Sequence, residues 1–215
     1  MRIVIAGGHG QIALLLSRRL SERGDSVVGL IRNPAHAADV VAAGAEPVTA
    51  DLEAVDAATL AGHLAGADAV VFAAGAGAGS GAARKDTVDR GAAALLADAA
   101  ERARVRRHLQ VSAMGVDDPP AGDDVFAVYL RAKAAAEQDL RGRDLDWTIL
   151  RPGGLTDEPA TGTVRLAPHV GGGKVPRDDV AAVLVALLDE PRTAGKTLEL
   201  VGGDTPIPAA VAGTL

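Results

Sequence analysis

Residues 1–20, MRIVIAGGHGQIALLLSRRL, decide the fold. Arg2 to Ala6 is a short apolar, β-branched run and predicts a strand. It stops at Gly7-Gly8-His9-Gly10. A helix follows at once, with Ile12, Leu15, Leu16 and Leu20 on one face and Arg18, Arg19, Glu22 and Arg23 elsewhere, until Gly24 ends it. Strand, glycine turn and helix in that order have a physical use. Gly7 permits a tight turn, Gly10 lets the backbone approach a ligand, and Ala13 lets the helix pack on the strand, so a pyrophosphate can rest on free helix N–H groups. The pattern G-x-x-G-x-x-A is weak by itself in a chain rich in alanine and glycine, where the bland alternative is a βα turn that binds nothing. Its position, directly after the first strand, carries more weight.

The chain has 215 residues, 48% of them hydrophobic and 2% aromatic, with a net charge of −6. That suits one sizeable α/β core and predicts a single domain over residues 1–215. So few aromatic residues and a negative balance exclude base-stacking and phosphate-backbone binding, so no nucleic-acid partner is expected. Arg102, Arg104, Arg106, Arg107 and His108 form the one basic cluster, read as decoration of a helix C-terminus. The absence of cysteine excludes disulfides and thiolate chemistry and suits a cytoplasmic setting. Five scattered histidines offer no metal-ligand spacing, so no metal is expected. The first apolar run breaks at glycine and turns amphipathic, unlike a signal peptide, and 69–83 is too short and glycine-rich to span a bilayer, so no membrane association is expected.

Past the first helix, Ser26 to Ile31 reads as a second strand ending at Arg32-Asn33-Pro34. In a dinucleotide fold an acid here holds the ribose 2′-hydroxyl of NAD, whereas an arginine accommodates the 2′-phosphate of NADP. No acid lies between Val27 and Asn33, so Arg32 points to NADP, with an ordinary exposed arginine as the alternative. A short helix over 34–44 and a strand over 46–49 lead to Asp51-Leu52, where Asp51 either accepts a bond from an adenine amino group or caps the next helix. The run 67–74 is apolar enough for a central parallel strand and empties into the glycine-rich stretch 75–81, either a cofactor passage or a plain connection.

A long alanine-rich helix over 88–103 precedes a strand over 107–113 that carries Ser112 at its end. The acidic loop around Asp117, Asp118, Asp123 and Asp124 is solvated and supplies an N-cap rather than binding a cation. The next helix, 125–141, places Tyr129 and Lys133 four residues apart on one face, so that the ammonium favours the ionised phenol. Tyr-x-x-x-Lys alone is common by chance; order lends it weight. A strand over 146–151 follows, then an irregular stretch, 153–176, expected to cover the substrate. A helix over 177–188 and a strand over 196–201 complete an alternation that predicts a Rossmann-type, doubly wound parallel sheet with helices on both faces.

Taken together, Gly7-x-x-Gly10-x-x-Ala13, Arg32, Asp51-Leu52, the strand end 71–75, Thr87-Val88-Asp89 with Gly91, Ser112, Tyr129-x-x-x-Lys133 and Trp147-Thr148-Ile149-Leu150-Arg151-Pro152-Gly153 resemble the atypical short-chain dehydrogenases/reductases. The nearest group is the small NAD(P)H-binding proteins labelled epimerase/dehydratase or NmrA-like. The resemblance implies NADP(H) held by Gly7, Gly8, His9, Gly10, Gln11, Ile12, Arg32, Asn33, Asp51, Leu52, Ala73, Ala74, Gly75, Ser112, Lys133, Pro152, Gly153 and Leu155. It makes Tyr129 the acid/base, with Lys133 on the nicotinamide ribose and Ser112 on the substrate oxygen. Asp89 stands where the wider family has asparagine, and His9 either touches a phosphate or faces solvent. The activity so implied is NADP(H)-dependent oxidation or reduction of a small carbonyl or hydroxyl compound. The alternatives are an NADP(H)-binding regulator without turnover, a flavin-type reductase and an epimerase. The alanine-rich helices around 92–103 and 132–136 pack either on a second copy, making a homodimer, or on the sheet.

Overall fold

The computed structural model describes residues 1–77 and 79–215; Ala78, inside the glycine-rich stretch 75–81, lies outside the described residues. β1 (Arg2–Ala6) runs between β2 (Ser26–Ile31) and β4 (Ala69–Phe72), parallel to both, with Ile5 opposite Gly29 on one side and Val71 on the other. β3 (Glu46–Thr49) continues the sheet beyond β2, while β5 (Arg107–Val111), β6 (Asp146–Pro152) and β10 (Lys196–Gly202) continue it beyond β4, all parallel. With β8 (Thr163–Ala167) and β11 (Thr205–Pro206), the full order is β11-β8-β10-β6-β5-β4-β1-β2-β3. Strand order therefore reverses between β1 and β4, and above their C-terminal ends lies the crevice where such sheets bind ligands.

Both faces are covered, which is why β1 and β4 are apolar on each side. α1 (Gln11–Glu22), α7 (Arg177–Leu188) and α8 (Ile207–Ala212) close one face through Leu16, Leu20, Leu184 and Val211. α3 (Ala57–Leu64), α5 (Ala93–Ala103) and α6 (Val125–Arg141) close the other through Leu60, Leu64, Leu96 and Leu140. Ala92, Ala97, Ala100 and Ala136 are buried within this second layer. Of the two readings of the alanine-rich helices, packing on the sheet accounts for these residues.

Four features depart from the sequence reading. Within 153–176, β8 (Thr163–Ala167) is not a cover but a sheet strand, antiparallel to β10 and to β11 (Thr205–Pro206), with Val164 buried. β7 (Gly154–Thr156) and β9 (Lys174–Pro176) make a separate two-stranded ribbon beside the cleft. The alanine-rich helix starts early, as α4 (Ala82–Arg84), and widens into π-type turns over Lys85–Ala92 before α5. α2 (Ala37–Ala42) is preceded by a tighter turn over Pro34–His36.

The fourth concerns the basic cluster. Only Arg102 and Arg104 sit at the end of α5, Arg104 as a left-handed cap with φ 60°. Arg107 and His108 are buried in β5: Arg107 donates to Leu187 O at 2.6 Å and to Thr148 Oγ1 at 2.8 Å, tying β5 to β6 and α7. Burial, helped by Arg143 and Arg107, pushes the His108 imidazole from 6.5 down to about 3. The folded state keeps His108 neutral while the unfolded chain protonates, so stability is full above pH 6.5 and lost as pH falls towards 3. Urea denaturation of a His108→Leu variant across this window should show a flatter acid limb than wild type, by on the order of 4 kcal/mol at its lower end.

Candidate active site

The cleft above β1 and β4 comprises two adjoining cavities, one of about 400 Å³ on the β2 side and a second of about 400 Å³ on the β5 side. Gly10 and residues 73–77 line both. Their shared floor is the glycine turn. Gly7 adopts φ +81°, and a Cβ there would lie 2.6 Å from Ala74 Cα, so only glycine lets the turn pass under the β4 end. α1 begins at Gly10 with no side-chain cap and no acid in its first turn, leaving its N–H groups and dipole free for an anion. Gly8 lines neither cavity. It abuts β2, where an added Cβ would stand 2.6 Å from Gly29 Cα.

On the β2 side, Arg32, Asn33, Asp51 and Leu52 line the cavity. Asp51 accepts from Glu53 N at 3.0 Å, whereas Asp56 caps α3 through Thr59 N at 2.7 Å, so the capping alternative for Asp51 is excluded. Glu53, which no motif marks, organises this wall: it binds Arg84 Nη2 at 2.6 Å, Thr87 Oγ1 at 2.6 Å and Arg32 Nη1 at 3.2 Å. Arg84 and then Thr87 hold its carboxyl down to about 2. The His9 ring stacks on His36 at 3.7 Å, and His9 Nε2 lies 2.8 Å from Asp39 Oδ2, packing the glycine turn against the β2–α2 connection.

On the β5 side, Asp89, Ser112, Tyr129 and Lys133 line one cavity with Gln11, Ile12, Pro152, Gly153 and Leu155. The wide turns over Lys85–Ala92 carry Asp89 to full burial, where Oδ2 accepts from Ala76 N at 3.2 Å and Oδ1 lies 3.2 Å from Lys133 Nζ. Lys133 Nζ also donates to Val111 O at 3.2 Å. An ammonium has three donors, so one is left for a ligand hydroxyl. Ser112 is 5% exposed, and its hydroxyl has no partner among the described residues, a buried polar atom that a ligand oxygen would satisfy.

The expected effect of Lys133 on Tyr129 is corrected by this arrangement. Burial, then the Asp89 carboxylate, push the Tyr129 phenol up to about 12 rather than down. Lys133 Nζ is 5.8 Å from the Tyr129 ring centroid but only 3.2 Å from Asp89 Oδ1, whose charge offsets its own. Tyr129 is a protonated donor at neutral pH. Burial also lowers Lys133, against the pull of Asp89.

Apart from Gly8, all the residues expected at the site line one of the two cavities. Sequence reasoning missed Glu53, Arg84, His36, Lys85 and Arg177, which also line them. Only the charge of Lys85 and Arg84, just ahead of Thr87-Val88-Asp89, offered a signal, and it reads as an ordinary solvated loop. The acidic loop 117–124 holds no cluster of metal-ligating residues among those described: Asp124 caps α6, and Asp117 pairs with Arg151 at 2.6 Å.

A reversing parallel sheet, a glycine turn with a left-handed Gly7, an uncapped helix start and a polar pocket beyond it define a dinucleotide-binding Rossmann protein. The chain belongs to the NAD(P)H-binding family, whose model matches residues 7–191. It is 36% identical over 212 residues to a Bacillus subtilis protein named as an uncharacterized sugar epimerase, covering 98% of this chain and 99% of that one. A Bacillus halodurans structure provisionally named NAD-dependent epimerase/dehydratase superposes with TM-score 0.92 at 36% identity, over 99% of each chain. A Lactococcus lactis oxidoreductase superposes with TM-score 0.85 at 28% identity, over 99% of this chain and 96% of the other. By name these relatives are two epimerases and an oxidoreductase, and the chain shares their fold and family. Among the described residues no helix is long and apolar enough to cross a membrane.

Proposed function

We propose that the protein is an NADP(H)-dependent oxidoreductase of the atypical short-chain type that reduces a small carbonyl compound, with Tyr129 as its acid. One observation carries the reading: a part-buried phenol held protonated shares a cavity with the buried Ser112 hydroxyl, which has no partner among the described residues. Bound NADPH supplies the hydride that a carbonyl carbon accepts. Tyr129 gives its proton to the carbonyl oxygen, and the Ser112 hydroxyl donates a hydrogen bond to the same oxygen. Lys133 would use its third donor on the nicotinamide ribose. Asp89 opposes the lowering of Lys133 by burial and holds it in place at 3.2 Å, which an asparagine could not do by charge. Pro152, Gly153 and Leu155 line this cavity and would flank the nicotinamide.

The preference for NADP rests on Arg32, Asn33 and Arg84, which line the β2-side cavity where no acid ends β2. Asp51 and Glu53 are the carboxylates there; Arg84, Thr87 and Arg32 engage Glu53, and Asp51 accepts from Glu53 N. Steady-state oxidation of NADPH and of NADH, each with a panel of small aldehydes and ketones, tests both halves of the reading. NADPH should be the better donor, and Arg32→Ala should raise its KM about tenfold with little change for NADH. Equal use of both donors that Arg32→Ala leaves unaltered contradicts the preference. NADPH bound but never oxidised favours the regulator reading instead.

A further inference from the structure

The β5-side cavity is lined by three cations, and two have their counter-ion in the structure: Lys133 with Asp89 at 3.2 Å and Arg177 with Asp157 at 2.6 Å. Lys85 is the third. It is only 9% exposed, yet no carboxylate among the described residues lies within 4.0 Å of Nζ. Its one polar partner among the described residues is Gly77 O at 2.9 Å, so two of its donors have no partner among those residues. A largely buried lysine with no carboxylate in salt-bridge reach among the described residues is suited to receive an anion. The wide turns that carry Asp89 inward also bring Lys85 Nζ to 5.4 Å from the Tyr129 ring centroid. Its position is thus fixed relative to the proton donor.

We propose that Lys85 is the carboxylate-binding residue of the substrate pocket, so that the compound reduced is a short carbonyl-bearing acid with its carboxylate a few bonds from the reacting carbonyl. The claim rests on the oxidoreductase reading for the word substrate, but the anion site itself is measurable by binding. Lys85 selects the substrate by charge, while Tyr129 and Ser112 engage its oxygen. The other conceivable anion is the cofactor's diphosphate, because Gly77, the partner of Lys85, lines both cavities. The uncapped start of α1 already offers the diphosphate a seat.

The test is calorimetric titration of the protein loaded with NADP⁺, using benzoate and benzamide, two probes of one shape that differ in charge. Wild type should bind benzoate about tenfold or more tightly than benzamide. Lys85→Met should collapse that ratio towards one, and Lys85→Arg should retain most of it. Lys85→Met also removes the bond to Gly77 O, but loosening of that loop would weaken both probes alike and leave the ratio standing. A ratio near one in wild type overturns the proposal, as does a ratio that survives in Lys85→Met. A tenfold loss of NADP⁺ affinity in Lys85→Met with the ratio intact assigns Lys85 to the cofactor and also overturns it. Should Lys85→Met fail to fold, Lys85→Gln replaces it, read against the same ratio. Absence of any carbonyl turnover alongside a charge-dependent ratio defeats the oxidoreductase reading and leaves the anion site established.

Discussion

Tyr129→Phe should lower kcat for the proposed NADPH-dependent carbonyl reduction by about 10²- to 10⁴-fold while NADPH affinity stays within about threefold of wild type. The substitution removes one hydroxyl and little volume, so α6 keeps its packing through Ala127, Leu130 and Ala136. The loss falls on the step in which a carbonyl oxygen gains charge and needs a proton. Because the Tyr129 phenol is held up to about 12 by burial and by Asp89, it is protonated through the neutral range, and reduction should not fall off until the pH nears that value. Oxidation of the corresponding alcohol needs the phenolate and should be slow at neutral pH. Unchanged kcat in Tyr129→Phe removes Tyr129 from the mechanism.

The second large effect is expected from Gly7→Val. It acts on binding rather than on chemistry. Position 7 holds φ +81°, disfavoured most strongly for a β-branched residue, and its Cβ would lie within 2.6 to 2.9 Å of three Ala74 atoms. β1 and β4 cannot separate to relieve the contact, since they are bonded along Ile3–Ala6 and Ala69–Phe72. The turn must deform, withdrawing the start of α1 from the diphosphate. NADPH affinity should fall by about a hundredfold or more, with a loss of at least 1 to 3 kcal/mol in urea denaturation of the free protein. A variant that binds NADPH as wild type does would show that the glycine turn is not the cofactor seat.

The sequence is most legible where local pattern and tertiary role coincide. β1, α1, β2 and α6 fall at the expected residues because apolar periodicity, glycine stops and the Asp124 cap mark their boundaries locally. The order of motifs likewise fixes which residues line the cleft. What escaped depends on contacts distant in sequence. β8 has only five residues, and its pairing with β10 comes from strands more than thirty positions away. The burial of Arg107 needs Leu187 O and Thr193 Oγ1, which no local reading can supply. The wide turns at Lys85–Ala92 leave no periodic signature, yet they set Lys85 and Asp89 in the cavity. Lys133 is on the expected helix face, but the electrostatic sense of Tyr129 follows from Asp89, 40 residues before it in the chain.

The structure of the protein with NADPH bound tests the central claim most directly. The nicotinamide should lie in the β5-side cavity against Pro152 and Gly153, with the 2′-phosphate beside Arg32. Tyr129 Oη and Ser112 Oγ should converge next to nicotinamide C4, each about 2.6 to 3.2 Å from one point where a substrate oxygen fits. A nicotinamide outside that cavity, or a Tyr129 hydroxyl turned away from C4, would contradict the account.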